Sequence, residues 1–181
     1  APFDSLEAFN RKFVDENSIR LYMVSNPKKI TVKNLSITTV EVSNHPVKEM
    51  GKRKIDVDGN FYISGEDAQS IKEGEQIRLL GLGNILITKQ GEEIEGEYVK
   101  DGDIKSIPKI QWVSQKTAHK IKMIIPKILF IGEDFNEDSL EEMDVYCEPH
   151  YLQLKDGEEI QFIRFGYCRK DSQNQAIFTH K

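Results

Sequence analysis

Gly74-Glu75-Gln76-Ile77-Arg78-Leu79-Leu80-Gly81-Leu82-Gly83-Asn84 reads as a β-strand that runs into a glycine turn. Apolar residues dominate 76–80, a second strand begins at Asn84, and the glycines between them favour a hairpin. Short β-branched runs separated by Gly, Pro, Asn or Asp continue on both sides, and turn signals recur about every ten residues. This spacing predicts an all-β fold of two modules rather than alternating strands and helices.

Three segments depart from the strand pattern. Residues 4–17 predict a short helix, because Asp4 and Glu7 form a capping pair ahead of apolar residues at helical spacing. We interpret this helix as the last piece of an upstream domain. Residues 66–72 predict one or two helical turns, and 134–142 predict a polar loop with some helix. The predicted strands are 19–24, 29–35, 38–42, 60–63, 76–80, 84–89, 110–114, 119–125, 159–165 and 176–179.

Composition excludes several classes of protein. The chain has 181 residues, of which 38 % are hydrophobic and 30 % charged. No run of about 18 apolar residues exists, so no membrane span is predicted. The start, Ala1-Pro2-Phe3-Asp4, lacks a secretory signal. Cys147 and Cys168 do not have the spacing of metal ligands, which predicts reduced thiols in a cytoplasmic protein and no metal site.

The charges are unevenly distributed along the chain. The net charge is −5, yet residues 28–54 contain seven Lys or Arg against Glu41 and Glu49. Residues 132–144 contain seven acids and no base. A polyanion responds to the local field within roughly 8 Å rather than to the total charge. The basic segment therefore remains a candidate surface for nucleic acid, although two ordinary solvated faces are the alternative.

The basic loop is Val42-Ser43-Asn44-His45-Pro46-Val47-Lys48-Glu49-Met50-Gly51-Lys52-Arg53. Pro46 restrains the backbone of His45, and Gly51 permits a bend just before Lys52 and Arg53. Lysine offers a point charge for phosphate, whereas arginine can bind a base edge or stack on an unpaired base. The loop is predicted to contact phosphates and bases, with His45 as a structural turn residue.

No catalytic residues are predicted. The chain contains neither a Walker loop nor a Rossmann glycine motif after a strand. The spacing of its residues suggests no pair of nucleophile and base and no carboxylate dyad.

Four segments, in this order and spacing, resemble one known family. They are Asn44-His45-Pro46 with Gly51-Lys52-Arg53, the segment 74–84, Ile110-Gln111-Trp112-Val113-Ser114, and Ile160-Gln161-Phe162-Ile163-Arg164-Phe165-Gly166-Tyr167. Together they are similar to the anticodon-binding region of class I glutamyl- and glutaminyl-tRNA synthetases, and the archaeal-type glutamyl enzymes look closest.

The resemblance implies an architecture. It is an all-β fold of two stacked small antiparallel β-barrels, ribosomal protein L25-like, preceded by the short N-terminal helix. Residues 1–18 would be the lead-in, 19–88 plus 158–181 the proximal barrel, and 89–157 the distal barrel.

The resemblance also implies residues that read bases. Arg53, Asn84 and Gln161 match positions that approach the first, middle and third anticodon bases in the family. Lys105 and Lys109 stand where the family places cations near the middle base. Trp112, which alternates with Ile110 along the predicted strand, is expected to pack in the core. Ile163 replaces a usual acidic residue beside Arg164. The full set of predicted tRNA-binding residues is Asn44, Lys48, Lys52, Arg53, Asn84, Lys105, Lys109, Gln161 and Arg164.

Function follows from the resemblance as an expectation. The chain would recognise the anticodon of tRNA(Glu), with tRNA(Gln) as a second candidate partner, for a parent glutamate–tRNA ligase. Its upstream catalytic domain would use ATP with magnesium, and no cofactor is expected in this chain. The class I His-x-x-His-like and Lys-Met-Ser-Lys-like signatures are missing here. The alternatives are the anticodon-binding region of a glutaminyl enzyme, or an L25-like barrel that binds another structured RNA or a protein.

Overall fold

The structure is a computed structural model that describes residues 17–103, 106–126, 130–131, 134–135 and 140–181. All but the last residue of the helix predicted at 4–17 lies outside the described residues. In chain order the strands and the short helix are β1 Ile19–Leu21, β2 Met23–Ser25, β3 Lys28–Lys33, β4 Thr39–Ser43, β5 Lys52–Asp56, β6 Asn60–Ile63, α1 Gly65–Ser70, β7 Gln76–Leu79, β8 Gly83–Lys89, β9 Ile94–Val99, β10 Lys109–Ile110, β11 Val113–Ser114, β12 His119–Pro126, β13 Phe130–Ile131, β14 Asp134–Phe135, β15 Leu140–Cys147, β16 Glu159–Phe162, β17 Gly166–Ser172 and β18 Gln175–His180, with a 3-10 helix at Pro149–Gln153 between β15 and β16.

Two sheets organise these strands. Sheet I has the order β10-β7-β8-β9-β3-β6-β11, and sheet II has the order β1-β16-β17-β18-β12-β15-β2. The pairs β4–β5 and β13–β14 form separate hairpins. Strands account for most of the described chain, so the all-β prediction is confirmed.

Alternation along the strands explains how each sheet obtains a core. In β3, Ile30 and Val32 are buried while Lys29 and Lys33 on the other face are not. The same alternation along β12 buries Ile121 and Met123 and exposes Lys120 and Lys122. The inward residues of sheet I pack with the β4–β5 hairpin in one cluster, and those of sheet II form a second cluster. Two cores are consistent with two barrels.

Local predictions met different outcomes. Helix α1 confirms the predicted turns at 66–72, and Ser64 caps it by accepting a hydrogen bond from the Asp67 backbone at 3.4 Å. The prediction of a polar loop with some helix was wrong at residues 140–142, which begin β15. Acidic side chains fill the exposed positions of that strand, so its alternation was hidden. The strand predicted at 159–165 ends at Phe162.

Strand pairing also differs from the expected antiparallel barrels. Most neighbouring strands are antiparallel, but β1–β16, β3–β9, β7–β10 and β12–β18 pair in parallel. The predicted proximal and distal segments do not coincide with the two sheets. Strand β9 of the predicted distal segment pairs with β3 and β8 in sheet I. Strands β1 and β2 of the predicted proximal segment lie in sheet II, where they pair with β16 and β15. Both partners come from much later in the chain.

Several side chains join the two sheets, and we call this set of contacts the seam. Tyr62 of sheet I stacks on Tyr146 of sheet II with ring centroids 4.8 Å apart. Gln111 donates a hydrogen bond to the Ile163 carbonyl at 2.8 Å, and its oxygen accepts one from the Met23 backbone at 3.3 Å. The predicted core position of Trp112 is confirmed, since it is fully buried. The seam therefore fixes one sheet against the other.

Candidate nucleic-acid interface

Arg53 on β5 is buried, with only 4 % of the residue exposed. Its Nε donates to Glu148 Oε1, and its Nη2 donates to Glu148 Oε2 at 2.8 Å. Its Nη1 donates to the Ser43 carbonyl at 3.1 Å and to Asn44 Oδ1 at 3.3 Å. The guanidinium also lies 5.4 Å from the centre of the Tyr22 ring. The hydrogen bonds of Arg53 are thus made inside the protein, and a base would reach it only after this ion pair opens.

Burial dominates the electrostatics around this pair. It raises the pKa of Tyr22 to about 12, an effect that nearby Arg53 opposes and Glu148 reinforces. Burial also lowers the pKa of His150, against the weaker opposing influence of Glu148. The thiol pKa values of Cys147 and Cys168 are raised for the same reason, and both cysteines are free. This region is consequently a dry part of the molecule rather than a solvated groove.

The basic loop is held by its own polar residues. Asn44 donates to the Met50 carbonyl at 3.0 Å, and His45 Nδ1 accepts hydrogen bonds from the backbones of Val47 and Lys48 at 3.2 and 2.9 Å. The prediction that His45 is a structural turn residue is confirmed. Val47 at the tip is 91 % exposed. The loop therefore presents its tip to solvent on a fixed backbone.

The two predicted phosphate-binding lysines of this loop are on the surface. Lys48 is exposed, and its Nζ donates to Asn17 Oδ1 at 3.1 Å. Lys52 is exposed on β5, 3.5 Å from the Glu41 carboxylate. Exposed ion pairs of this kind exchange readily with other anions because they contribute little energy. Both ammonium groups are accessible to a phosphate.

Asn84, the predicted reader of the middle base, is 1 % exposed. Its oxygen accepts from Arg78 Nη1 at 3.0 Å, and its nitrogen donates to the Asp103 carbonyl at 2.7 Å. These bonds hold the segment that follows β9 against β8. Lys105 lies outside the described residues. Lys109 is exposed on β10, in register with Arg78 on β7.

Gln161 on β16 lies in a row of polar and aromatic residues that crosses sheet II. The paired positions across β1, β16, β17 and β18 are Arg20, Gln161, Tyr167 and His180, which we call the outer row. The Tyr167 and His180 rings stack with centroids 4.6 Å apart. The neighbouring residues on β1 and β16 point into the core of sheet II, so the row lies on its other face.

The Gln161 amide is only partly satisfied. Its Oε1 is buried and has no hydrogen-bond donor among the residues that the structure describes. His180 Nε2 is in the same condition at the other end of the row. Buried polar atoms normally have partners, and an exception calls for an explanation such as a missing ligand or water. Gln161 and His180 therefore have hydrogen-bonding capacity that the described part of the chain does not use.

Arg164 lies in the turn after β16, with a left-handed backbone at φ 60°. Its Nη2 is 2.6 Å from the Asp67 carboxylate of α1, and 51 % of its side chain is exposed. Asp67 of α1 thus supplies the acidic partner that Ile163 does not provide. Arg164 lines an open groove of ≈ 570 Å³ between α1 and sheet II. It is a seam residue with one face in solvent.

The structure brings some of the predicted residues together. Asn44 contacts Arg53, and its carbonyl accepts a hydrogen bond from the Arg20 backbone at 2.8 Å, one strand away from Gln161. Gly81 also lies close to the start of the basic loop, since a Cβ built on it would be 3.5 Å from Val42. By contrast, no hydrogen bond among the described residues joins Asn84 to the outer row.

Sequence reasoning missed three residues of the outer row, namely Arg20, Tyr167 and His180. Alternation along 159–165 identified the face that carries Gln161, and the same alternation along β1, β17 and β18 held the signal for the others. What it lacked was the pairing order. The full row needs the register of four strands, three of which lie at the opposite end of the chain from β1.

Among the described residues, no group of three or more His, Cys, Asp or Glu is arranged to hold a metal ion. Nor does any described helix have the length and apolar character needed to cross a membrane.

Comparisons with known proteins agree with the resemblance. Two family models, both described as the anticodon-binding domain of class I tRNA synthetases (E and Q), match residues 18–106 and 109–171. The glutamate–tRNA ligase of Nitrosopumilus maritimus is 71 % identical over 100 % of this chain and 32 % of its own length. That of Cenarchaeum symbiosum is 48 % identical over 99 % of this chain and 32 % of its own length. This chain thus spans about a third of the curated relatives it matches.

Proposed function

We propose that this chain, which belongs to the anticodon-binding domain family of class I tRNA synthetases (E and Q), reads the anticodon of tRNA(Glu) with the outer row of sheet II. One observation carries the proposal. The Gln161 oxygen has no donor among the residues that the structure describes, and it lies in register with Arg20 on one side and with Tyr167, whose ring stacks on His180, on the other. An unpaired base supplies the missing donor.

Base chemistry favours cytosine at this position. A splayed base is recognised by hydrogen bonds to its edge and by stacking on aromatic or guanidinium planes. Cytosine offers its amino group as a donor to the Gln161 oxygen, which lies in register with Arg20 on β1. Cytosine is the third anticodon base of tRNA(Glu), whereas tRNA(Gln) has guanine there. Gln161 keeps the role proposed from its sequence, and Arg20 is added to it.

Exposed lysines support binding to the phosphate backbone. Lys48 and Lys52 belong to the basic loop, which contacts β1 through Asn44, and Lys109 lies on sheet I. A protein that neutralises phosphates with such groups binds more weakly as salt rises, because counterions are released on binding. The net charge of −5 does not oppose this local attraction.

The names of the relatives suggest the wider role. We propose that the parent protein is a cytoplasmic glutamate–tRNA ligase, which attaches glutamate to tRNA(Glu), with tRNA(Gln) as its second candidate substrate. Its ATP and magnesium would bind in the upstream catalytic domain, outside the third of the relatives' length that this chain spans.

Titration of the 181-residue chain with anticodon stem-loops that differ only in the third base tests the proposal. Fluorescence anisotropy should show about a tenfold preference for cytosine, since one good base contact contributes ~1–3 kcal/mol. Gln161→Ala should remove most of this preference. Gln173→Ala, an exposed glutamine in the turn between β17 and β18, is the matched control and should retain it.

The outcomes separate the alternatives. A preference for guanine would indicate tRNA(Gln) as the partner. Equal affinity for stem-loops altered at every anticodon position would overturn the proposal and favour an L25-like barrel that binds another structured RNA or a protein.

A further inference from the structure

Glu148 closes a ring of hydrogen bonds at the edge of sheet II. Its carboxylate accepts from the Tyr22 backbone at 2.8 Å and from Arg53 at Nε and Nη2. Arg53 donates to Asn44 Oδ1 at 3.3 Å, and the Asn44 carbonyl accepts from the Arg20 backbone at 2.8 Å. Arg20 and Tyr22 are two residues apart on one stretch of chain, so the circuit is complete. We call these five residues the Glu148 ring.

The ring occupies the place of a neighbouring strand. Strand β1 is at the edge of sheet II, where it pairs on one side with β16. The backbone N–H groups of Arg20 and Tyr22 donate instead to Asn44 and Glu148. An edge strand without such partners can slip or fray, and a slip of one residue moves every side chain to the other face. The ring therefore fixes which β1 side chain lies opposite Gln161.

The composition of the ring is unusual for a purely stabilising contact. Glu148 is 1 % exposed, and Arg53 is nearly as buried. The free energy lost when two charges leave water offsets much of the free energy gained from their attraction. Apolar side chains of similar size often stabilise a protein equally well. A buried ion pair differs from apolar packing in its direction: a fork of donors meets two oxygens in one geometry. That directionality suits a role in setting position.

We propose that Glu148 is a positioning residue for anticodon discrimination: through Arg53 and Asn44 on one side and Tyr22 on the other, it holds Arg20 in register with Gln161. The proposal rests on the proposed function of the outer row. Glu148 itself contacts no nucleotide. Arg53 then influences base recognition from inside the protein, by holding Asn44, rather than as a direct reader of the first base.

Glu148→Gln in the 181-residue chain is the decisive variant. It keeps the shape of the side chain but turns an amide donor towards Arg53. The preference for cytosine at the third position should fall at least about fivefold, near the lower limit of what one base contact changes. Amide protons of Arg20 and Tyr22 should exchange with solvent at least about tenfold faster, while that of Ile85 in the core of sheet I should not.

Tyr151→Phe is the matched control for lost stability. The Tyr151 hydroxyl donates to the carbonyls of Ser172 and Gln175 at 2.8 and 2.7 Å, inside sheet II but outside the ring. This variant should lower the midpoint of thermal unfolding yet keep the third-base preference of the wild type. If Glu148→Gln and Tyr151→Phe changed the preference alike, the ring would be a structural contact only, and the proposal would be overturned.

Arg53→Lys is a milder second variant, should Glu148→Gln fail to fold. It keeps the charge beside Glu148 but loses the forked guanidinium that also holds Asn44. The logarithm of the preference for cytosine should therefore fall by about half as much as in Glu148→Gln. A preference equal to that of the wild type in this variant would also overturn the proposal. Loss of preference in the wild type itself would refute the function proposed for the outer row instead.

Discussion

The Glu148 ring and the outer row meet at Arg20 on sheet II. Their polar side chains differ in how fully they are hydrogen-bonded. In the ring, Arg53 is buried, and its guanidinium donates to three different residues. In the outer row, Gln161 is half-buried and its oxygen has no donor among the described residues. Both residues belong to motifs that suggest RNA contact. If the proposed function is right, the difference teaches that a basic residue inside an RNA-binding motif can serve the interior, while a polar residue with unused hydrogen-bonding capacity serves recognition.

The largest expected effect comes from breaking the ring at its charge. Arg53→Met leaves the Glu148 carboxylate buried without its partner, which should lower the free energy of unfolding by ~3–5 kcal/mol in urea denaturation. Lys122→Gln removes the exposed ion pair with Glu142 at 3.3 Å and should cost at most ~1 kcal/mol. An Arg53→Met variant as stable as Lys122→Gln would contradict the difference between the buried ion pair of the Glu148 ring and an exposed ion pair.

Alkaline pH should sharpen the same distinction. The pKa of Tyr22 is about 12 in the folded protein, against 10.0 for an ordinary tyrosine. Its proton is held more tightly in the folded state, so its contribution is fully present below pH 10 and is lost as pH rises towards 12. Across that window, Tyr22→Phe should lose ~2–3 kcal/mol less stability than the wild type in urea denaturation. Both proteins should change in parallel below pH 9, and parallel curves above pH 10 would contradict the buried environment.

A variant of the outer row should affect binding more than stability. Arg20→Gln removes the guanidinium next to Gln161, which should weaken binding of the cognate anticodon stem-loop about tenfold, as expected for one charge-assisted hydrogen bond. Its free energy of unfolding in urea denaturation should change by no more than ~1 kcal/mol. A large loss of stability with unchanged affinity per folded molecule would show that the Arg20 side chain serves stability and not base recognition.

The smallest effect is expected at the tip of the basic loop. Lys48→Gln removes one exposed ammonium group, so the slope of log affinity against log salt should become shallower by about one unit. Lys33→Gln, an exposed lysine at the end of β3 in register with Glu97, is the control and should leave the slope unchanged. Equal slopes for the two variants would separate the loop from the RNA-binding surface.

Sequence patterns predicted what depends on neighbours along the chain. The turns of α1, the core position of Trp112 and the structural role of His45 all follow from local spacing or backbone restraint, and the structure confirms them. The parallel pairs and the partner of Arg53 did not follow. Glu148 lies 95 residues from Arg53, and nothing in the segment around it marks it as the acceptor.

The functional site shows the same division. Gln161 was found because its strand resembles a family motif, whereas Arg20 and His180 reach it only through the pairing order of sheet II. Asn84 shows the opposite case. Its match to a family position predicted a contact with the middle anticodon base, but Arg78 of β7 donates to its oxygen and the Asp103 carbonyl after β9 accepts from its nitrogen.

The parallel pairing of β1 with β16 has a consequence for how the polypeptide folds during synthesis. All strands of sheet I have left the ribosome once Ser114 has emerged, so that sheet is free to form early. Strands β1 and β2 are made before any of it, yet their partners β16 and β15 are made only after all of sheet I. Such distant pairing is slow because a long loop must close first. We expect the nascent chain to carry these two strands unpaired for most of its translation, with the Glu148 ring as one of the last contacts to form.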